Sequence, residues 1–394
     1  MASKLDLPPA QGRRDFAEVA IAVVTGLALA VTILFISAVP LAGNIAGSRD
    51  FVSYWATGQQ LVHHANPYDR DSISTLEHSA GLTVKAVLIM RNPPWALPLA
   101  YPLGFLGLRV AAILWTLLLL ACLLISVRMV RELHGCPPNR IHWLGFAFTP
   151  ALICITIGQT SLLALLGLVL FLRFHRCHPF SAGAALWLCA LKPHLFLPFA
   201  AALLAWIVVS RSYRLLAGAA TALALTSAAA FLVDPTAWPD YIRLMRSAAV
   251  ENDFIPCLAG VMRDWLDPQA IWLQYLPAAL CCLWALIYFW RRRNQWDWLT
   301  CGSPLMLVSL LAAPYCWFYD QCLAIPALLD GAYATRSRNL LAVLALAILV
   351  IDIEICALPI ASPFYLWTAP AWLAWYLLSR ASGVQESLPR SAAS

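Results

Sequence analysis

The chain has 394 residues, of which 61% are hydrophobic and only 12% charged, and its net charge is +6. A soluble domain carries roughly 25% charged residues, and a water-soluble fold of this length cannot cover so much apolar surface. The basic residues sit in short clusters between apolar runs, so the positive balance is not a nucleic-acid-binding patch.

In chain order, Lys4, Arg13 and Arg14 precede the first apolar run, near Val19 to Leu41. That run approaches the roughly 20 residues that a bilayer-spanning helix needs. It lacks a small-residue cleavage site and reads as a retained helix rather than a signal peptide. Later basic clusters lie at Arg128, Arg131 and Arg140, at Arg173 and Arg176, at Arg211 and Arg214, at Arg291 to Arg293, at Arg336 and Arg338, and at Arg380. With all of these in the cytoplasm, each intervening segment crosses twice. The outward turns then fall at Gly158-Gln159, at Lys192-Pro193-His194, in the polar stretch from Asp234 to about Gln269, at Pro314 to Gln321, and near Pro359.

The expected fold is therefore all-α and polytopic, with about twelve transmembrane helices. Alternating ten-residue strands of a β-barrel are not visible. A single transmembrane domain is expected over 19–380, between a cytoplasmic tail at 1–18 and a disordered cytoplasmic tail at 381–394. Its first outer loop spans 43–92 and its long outer loop 234–270. The proline-rich run from Arg91 to Gly107 (RNPPWALPLAYPLGFLG) is left over by parity. It reads as a re-entrant segment lining a cavity, with a full extra hairpin as the alternative. The twelve cysteines form no CxxC pair and fall mostly in apolar segments, as packing residues do.

The polar features collect on the outward side. Asp50 opens the first outer loop, and Phe51, Tyr54, Trp55, Gly58, Leu61 and Val62 follow at helical spacing. They predict a short helix lying in the membrane interface on one apolar face. Spacing alone leaves Asp50 open between a helix cap and a catalytic acid. Asp69-Arg70-Asp71 reads as a helix-starting turn rather than a metal-binding acid pair, and no metal site or cofactor is expected. Lys192 interrupts an apolar stretch, where a lysine is costly unless it is paired, snorkels or serves a function. It is open between snorkelling and binding an anionic headgroup. Gln159 could read hydroxyls, and Trp317, Tyr319 and Asp320 form an aromatic cap with one acid. Asp253, Arg263 and Asp264 read as solvated loop charge.

Taken together, the pattern resembles glycosyltransferase family 87 of the GT-C superfamily. The matching residues are Asp50-Phe51 with Tyr54-Trp55, Asn66-Pro67-Tyr68-Asp69, Pro93-Pro94 with Pro102, Trp115, Gly158-Gln159, Leu191-Lys192-Pro193, and Ala313-Pro314 with Trp317. The resemblance implies a GT-C fold whose first outer loop carries an amphipathic helix. It implies an inverting transfer of a sugar, mannose first, from a polyprenyl-phosphate donor to a lipid or glycan acceptor. The reaction would take place at the extracytoplasmic face of the plasma membrane. It makes Asp50 the general base. Lys192, His194 and Arg91 become donor phosphate ligands, and Tyr54, Gln159, Trp317, Tyr319 and Asp320 become sugar or acceptor contacts. Where related sequences often show a histidine, this chain has Tyr319-Asp320, which implies a different donor or acceptor preference. A transporter or lipid flippase is the first alternative, but the internal repeat it would carry is not visible. A non-catalytic membrane scaffold is the second, and it would not need Asp50.

Overall fold

A computed structural model describes residues 49–82, 87–247, 255–355 and 357–385, together with positions 23 and 26. Apart from positions 23 and 26, the expected first crossing lies outside these, as do the N-terminal tail, Asp253 and the last residues of the C-terminal tail. Every regular element among the described residues is helical.

Helices α1 (Arg49–Val62) and α2 (Arg70–Ser79) come first. Asp69 caps α2, its Oδ2 accepting from the Ser72 N–H at 3.0 Å. Hydrogen bonding to Ser72 holds the Asp69 carboxyl below its ordinary range. The proline-rich run then folds as three short helical pieces over 94–105, with Pro94, Pro98 and Pro102 each in a first turn. Proline suits a first turn because its missing N–H would be unpaired there anyway. The repeated restarts keep this segment from becoming one long helix.

Helix α3 (Leu108–Leu133) shows what surrounds the molecule. Ala111, Trp115, Leu119, Cys122, Ser126 and Val130 recur every three or four residues and are buried. The opposite face exposes Val110, Ile113, Leu114, Leu117 and Leu124. Both faces are apolar, so the medium outside α3 is lipid. Among the described residues, four helical stretches are long and apolar enough to span a bilayer: Leu108–Leu133, Pro193–Ser210, Tyr213–Val233 and Ile271–Gln295.

The intervening helices are shorter. They are α4 (Thr149–Ile157), α5 (Ser161–Phe174) and α6 (Pro179–Cys189), followed by α7 (Leu197–Ser210) and α8 (Tyr213–Val233). Nearly every residue of α5 from Ser161 to Leu172 is buried. A helix surrounded by protein need not match the bilayer thickness, which accounts for its length. The long loop expected to face outward carries α9 (Ala237–Ser247) and α10 (Leu258–Leu266), and α11 (Ile271–Arg292) and α12 (Trp298–Ala312) follow. A 3-10 segment (Phe318–Ala324) leads into α13 (Ile325–Ala334), and α14 (Arg338–Glu354) and α15 (Thr368–Gln385) close the chain. The turns expected at Gly158-Gln159, Lys192-Pro193 and Pro314 each fall between two helices.

One buried polar cluster ties the far end of the bundle. Asp330 of α13 accepts from the Tyr376 hydroxyl of α15 at 2.9 Å. It lies 3.2 Å from Nε2 of His134, at the end of α3, and 3.5 Å from Arg380.

Candidate functional site

Helix α1 is the site's anchor. Instead of resting on one apolar face, it is buried on every side from Phe51 to Gly58. The proline-rich segment packs against it along Trp55, Gly58 and Gln59. A Cβ on Gly58 would stand 2.3 Å from the Ala100 carbonyl oxygen, and one on Gly104 would stand 2.1 Å from the Gly58 oxygen. The two backbones meet because neither glycine carries a side chain. Trp55 Nε1 donates to the Leu106 carbonyl at 3.0 Å, and Gln59 Nε2 to the Gly104 carbonyl at 2.8 Å.

Asp50 lies half-buried in the first turn of α1, where the helix dipole favours a carboxylate. Burial first, and then the charge of Asp50, push the Tyr54 and Tyr319 hydroxyls well above the ordinary phenol range. Both therefore remain neutral donors beside it. The Tyr54 hydroxyl donates to Gln159 Oε1 at 3.0 Å, and Gln159 Nε2 donates to the Tyr319 hydroxyl at 3.4 Å.

Gly158 sets the height of this turn. Its φ is +81°, a left-handed conformation that ends α4. Its carbonyl accepts from Trp115 Nε1 at 2.7 Å. A Cβ there would come 2.4 Å from Cβ of Phe51, the neighbour of Asp50. Gly158→Val is expected to cost about 1–3 kcal/mol through strain and overpacking. The measurement is the thermal midpoint in detergent, and an unchanged midpoint refutes the expectation.

Lys192 forms the charged half of the site. It is 8% exposed and Asp320 is 1% exposed. Lys192 Nζ lies 2.7 Å from Asp320 Oδ1 and donates to Ser161 Oγ at 3.0 Å. The Ser161 hydroxyl donates to the same Asp320 oxygen at 2.5 Å. Asp320 Oδ2 accepts from the Trp317 backbone N–H at 3.0 Å. The ammonium also stands 4.9 Å from the centroid of the Tyr319 ring, within cation–π range. The proline-rich segment fixes the Lys192 turn. Asn92 Nδ2 donates to the Leu191 carbonyl at 2.8 Å and Trp95 Nε1 to the Ala190 carbonyl at 2.9 Å.

The fold thus gathers Asp50, Tyr54, Gln159, Lys192, Tyr319 and Asp320, and the Trp317 ring lies parallel to Tyr319 at 6.2 Å. His194 and Arg91 belong to a neighbouring group. The His194 ring stacks on Tyr315 at 3.7 Å, and the Arg91 charge acts on the Tyr315 hydroxyl. Ser161, Asn92, Trp95 and Tyr315 are site-building residues beyond the sequence-derived set. A signal existed for Ser161, since a buried lysine needs oxygen partners and Ser161 adjoins the Gly158-Gln159 turn. Arg263 of the long loop is occupied by Gln274 Oε1 at 2.8 Å and by Asp264 at 3.4 Å.

Beside this cluster is a cavity of about 390 Å³, lined by Cys257, Val261, Leu310, Cys316, Gln321 and Ala369 among others. Its one amide is spent: Gln321 Nε2 donates to Thr368 Oγ1 and its Oε1 accepts from Trp372 Nε1, both at 2.8 Å. The cavity offers a ligand little besides apolar surface.

Fold and site define a helical membrane protein in which a carboxylate, a buried ion pair and a tyrosine–glutamine–tyrosine chain come together. The family model for glycosyltransferase family 87 matches residues 91–314, more than half of the chain. The chain belongs to that family and is a membrane glycosyltransferase. No curated protein and no solved structure matches it. Arg91, Gln159, Lys192 and His194 lie within the matched residues, whereas Asp50, Tyr54, Trp317, Tyr319 and Asp320 lie outside them.

Proposed function

We propose that this protein transfers mannose from a polyprenyl-phosphate donor to a hydroxyl of a lipid or glycan acceptor, with inversion, at the extracytoplasmic face of the plasma membrane. The observation that carries this reading is Asp50, a half-buried carboxylate whose charge acts on Tyr54 and Tyr319, the two ends of a hydrogen-bonded chain through Gln159 that also meets Lys192. Asp50 takes the proton of the acceptor hydroxyl as that oxygen attacks the anomeric carbon. The bond from that carbon to the phosphate oxygen breaks, and its electron pair leaves with polyprenyl phosphate. A phosphate leaves without being protonated, so what it requires is positive charge fixed in advance. Lys192 is the first such group, with Arg91 beside it, while His194, stacked on Tyr315, offers a ring N–H rather than a charge. Tyr54, Gln159, Trp317 and Tyr319 are the surfaces for sugar and acceptor.

Two further observations support the reading. The apolar cavity beside Cys316 and Gln321 suits a hydrocarbon tail next to the charged cluster. The basic end of α3, with Arg128 and Arg131, lies at the far end of that helix from the Trp115–Gly158 contact. This suits a single domain of about twelve crossings with its site outside and its basic loops inside.

The test uses purified protein in vesicles with radiolabelled polyprenyl-phosphate-mannose and a lipid-extract acceptor. Labelled product is expected from this donor and not from a nucleotide sugar; the reverse outcome overturns the reading. Val261→Trp, which fills the cavity, is expected to raise the KM of a long-chain donor about tenfold, the equivalent of about two buried methylenes. A donor with a two-isoprene tail is expected to be unaffected.

A further inference from the structure

We infer that Asp320 is a positioning residue that acts through Lys192, with Ser161 as its bridge, and that it does not touch sugar. The inference rests on the proposed reading of Lys192 as a phosphate ligand and assigns Asp320 a task the family match does not supply.

The geometry leaves Asp320 little to offer a substrate. Oδ1 is taken by the Lys192 ammonium and the Ser161 hydroxyl, and Oδ2 by the Trp317 N–H. At 1% exposure, there is no path for a sugar hydroxyl to reach either oxygen. Lys192 differs. An ammonium has three donors, and two of them go to Asp320 and Ser161. One donor remains for a phosphate oxygen, and Lys192 at 8% exposure is less deeply buried than Asp320 at 1%. The pair forms a fixed dipole whose positive member is the one nearer the surface. Such preorganised charge needs no reorientation when an anion arrives.

A plain structural bridge does not account for the arrangement. A buried ion pair is weak evidence for stability, because well-packed apolar residues hold helices together as well or better. Here the pair instead fixes one ammonium by joining three turns, at Ser161, Lys192 and Asp320. The Tyr319 ring packs against the same ammonium, its centroid 4.9 Å away.

The experiment measures equilibrium binding of radiolabelled polyprenyl phosphate, without sugar, to purified protein in nanodiscs, together with the acceptor KM in the transfer assay. Asp320→Asn is expected to weaken polyprenyl phosphate binding by about 10–100-fold, the worth of a charge-assisted contact, and to leave the acceptor KM unchanged. Ser161→Ala keeps the ion pair and is expected to weaken binding by about 2–10-fold, again with unchanged acceptor KM. That second variant separates positioning from a general loss of folding. If Asp320→Asn raises the acceptor KM and binds polyprenyl phosphate normally, Asp320 is an acceptor contact and the inference fails while the proposed function stands. If the wild-type protein does not bind polyprenyl phosphate, the proposed donor fails and the inference fails with it.

Discussion

Asp50→Asn is expected to lower kcat for sugar transfer by about 10²–10⁴-fold, the usual worth of a positioned general base, with little change in thermal midpoint. Asn keeps the shape and polarity of the side chain, and α1 is held by contacts elsewhere: Trp55 to Leu106, Gln59 to Gly104, and Gly58 against Ala100. The negative charge and the ability to take up a proton are removed together. The measurement is single-turnover transfer in vesicles alongside a melting curve. A variant that transfers at the wild-type rate removes Asp50 as the base. A variant that is slow because it has melted would show a lowered midpoint.

Lys192→Met is expected to destabilise the protein by about 3–5 kcal/mol, because it leaves the Asp320 carboxylate buried without its cation. The double substitution Lys192→Met with Asp320→Asn is expected to recover most of that stability, since neither buried charge then lacks a partner, and to remain unable to transfer sugar. Stability and activity would then separate in one series of proteins. If the single variant melts like wild type, Asp320 is reached by water or protonated, and the buried pair is not the organising contact.

Much of the site was legible because its residues sit at turns. The positions of the basic clusters put Gly158-Gln159, Lys192-Pro193 and Pro314 to Gln321 on one side of the membrane, and the fold brings these turns into contact. The pairing of Lys192 with Asp320 was not legible. Its partners are 128 residues apart, and each on its own has a plausible solvated or substrate-facing role. The burial of α1 escaped for a different reason. Periodicity finds an apolar face but does not say what buries the small residues Ser53, Ala56 and Thr57 on the other. Gly58, on the apolar face itself, allows the close backbone approach that small residues mark within membranes, and Gly104 is the partner it meets. Helix lengths were the least legible. The sequence shows how apolar α5 is but not that protein rather than lipid surrounds it.

The separation between Lys192 and Asp320 also bears on how the protein is made. The chain is synthesised from its N-terminus, so the lysine leaves the ribosome 128 residues before the acid that will neutralise it. Until then its ammonium has to stay in contact with water, because a lone cation in hydrocarbon is costly. The hairpin carrying Lys192 can settle only after the later hairpins have been laid down. With Lys192 holding the donor phosphate as proposed, a chain can transfer sugar only once the segment carrying Asp320 has been made.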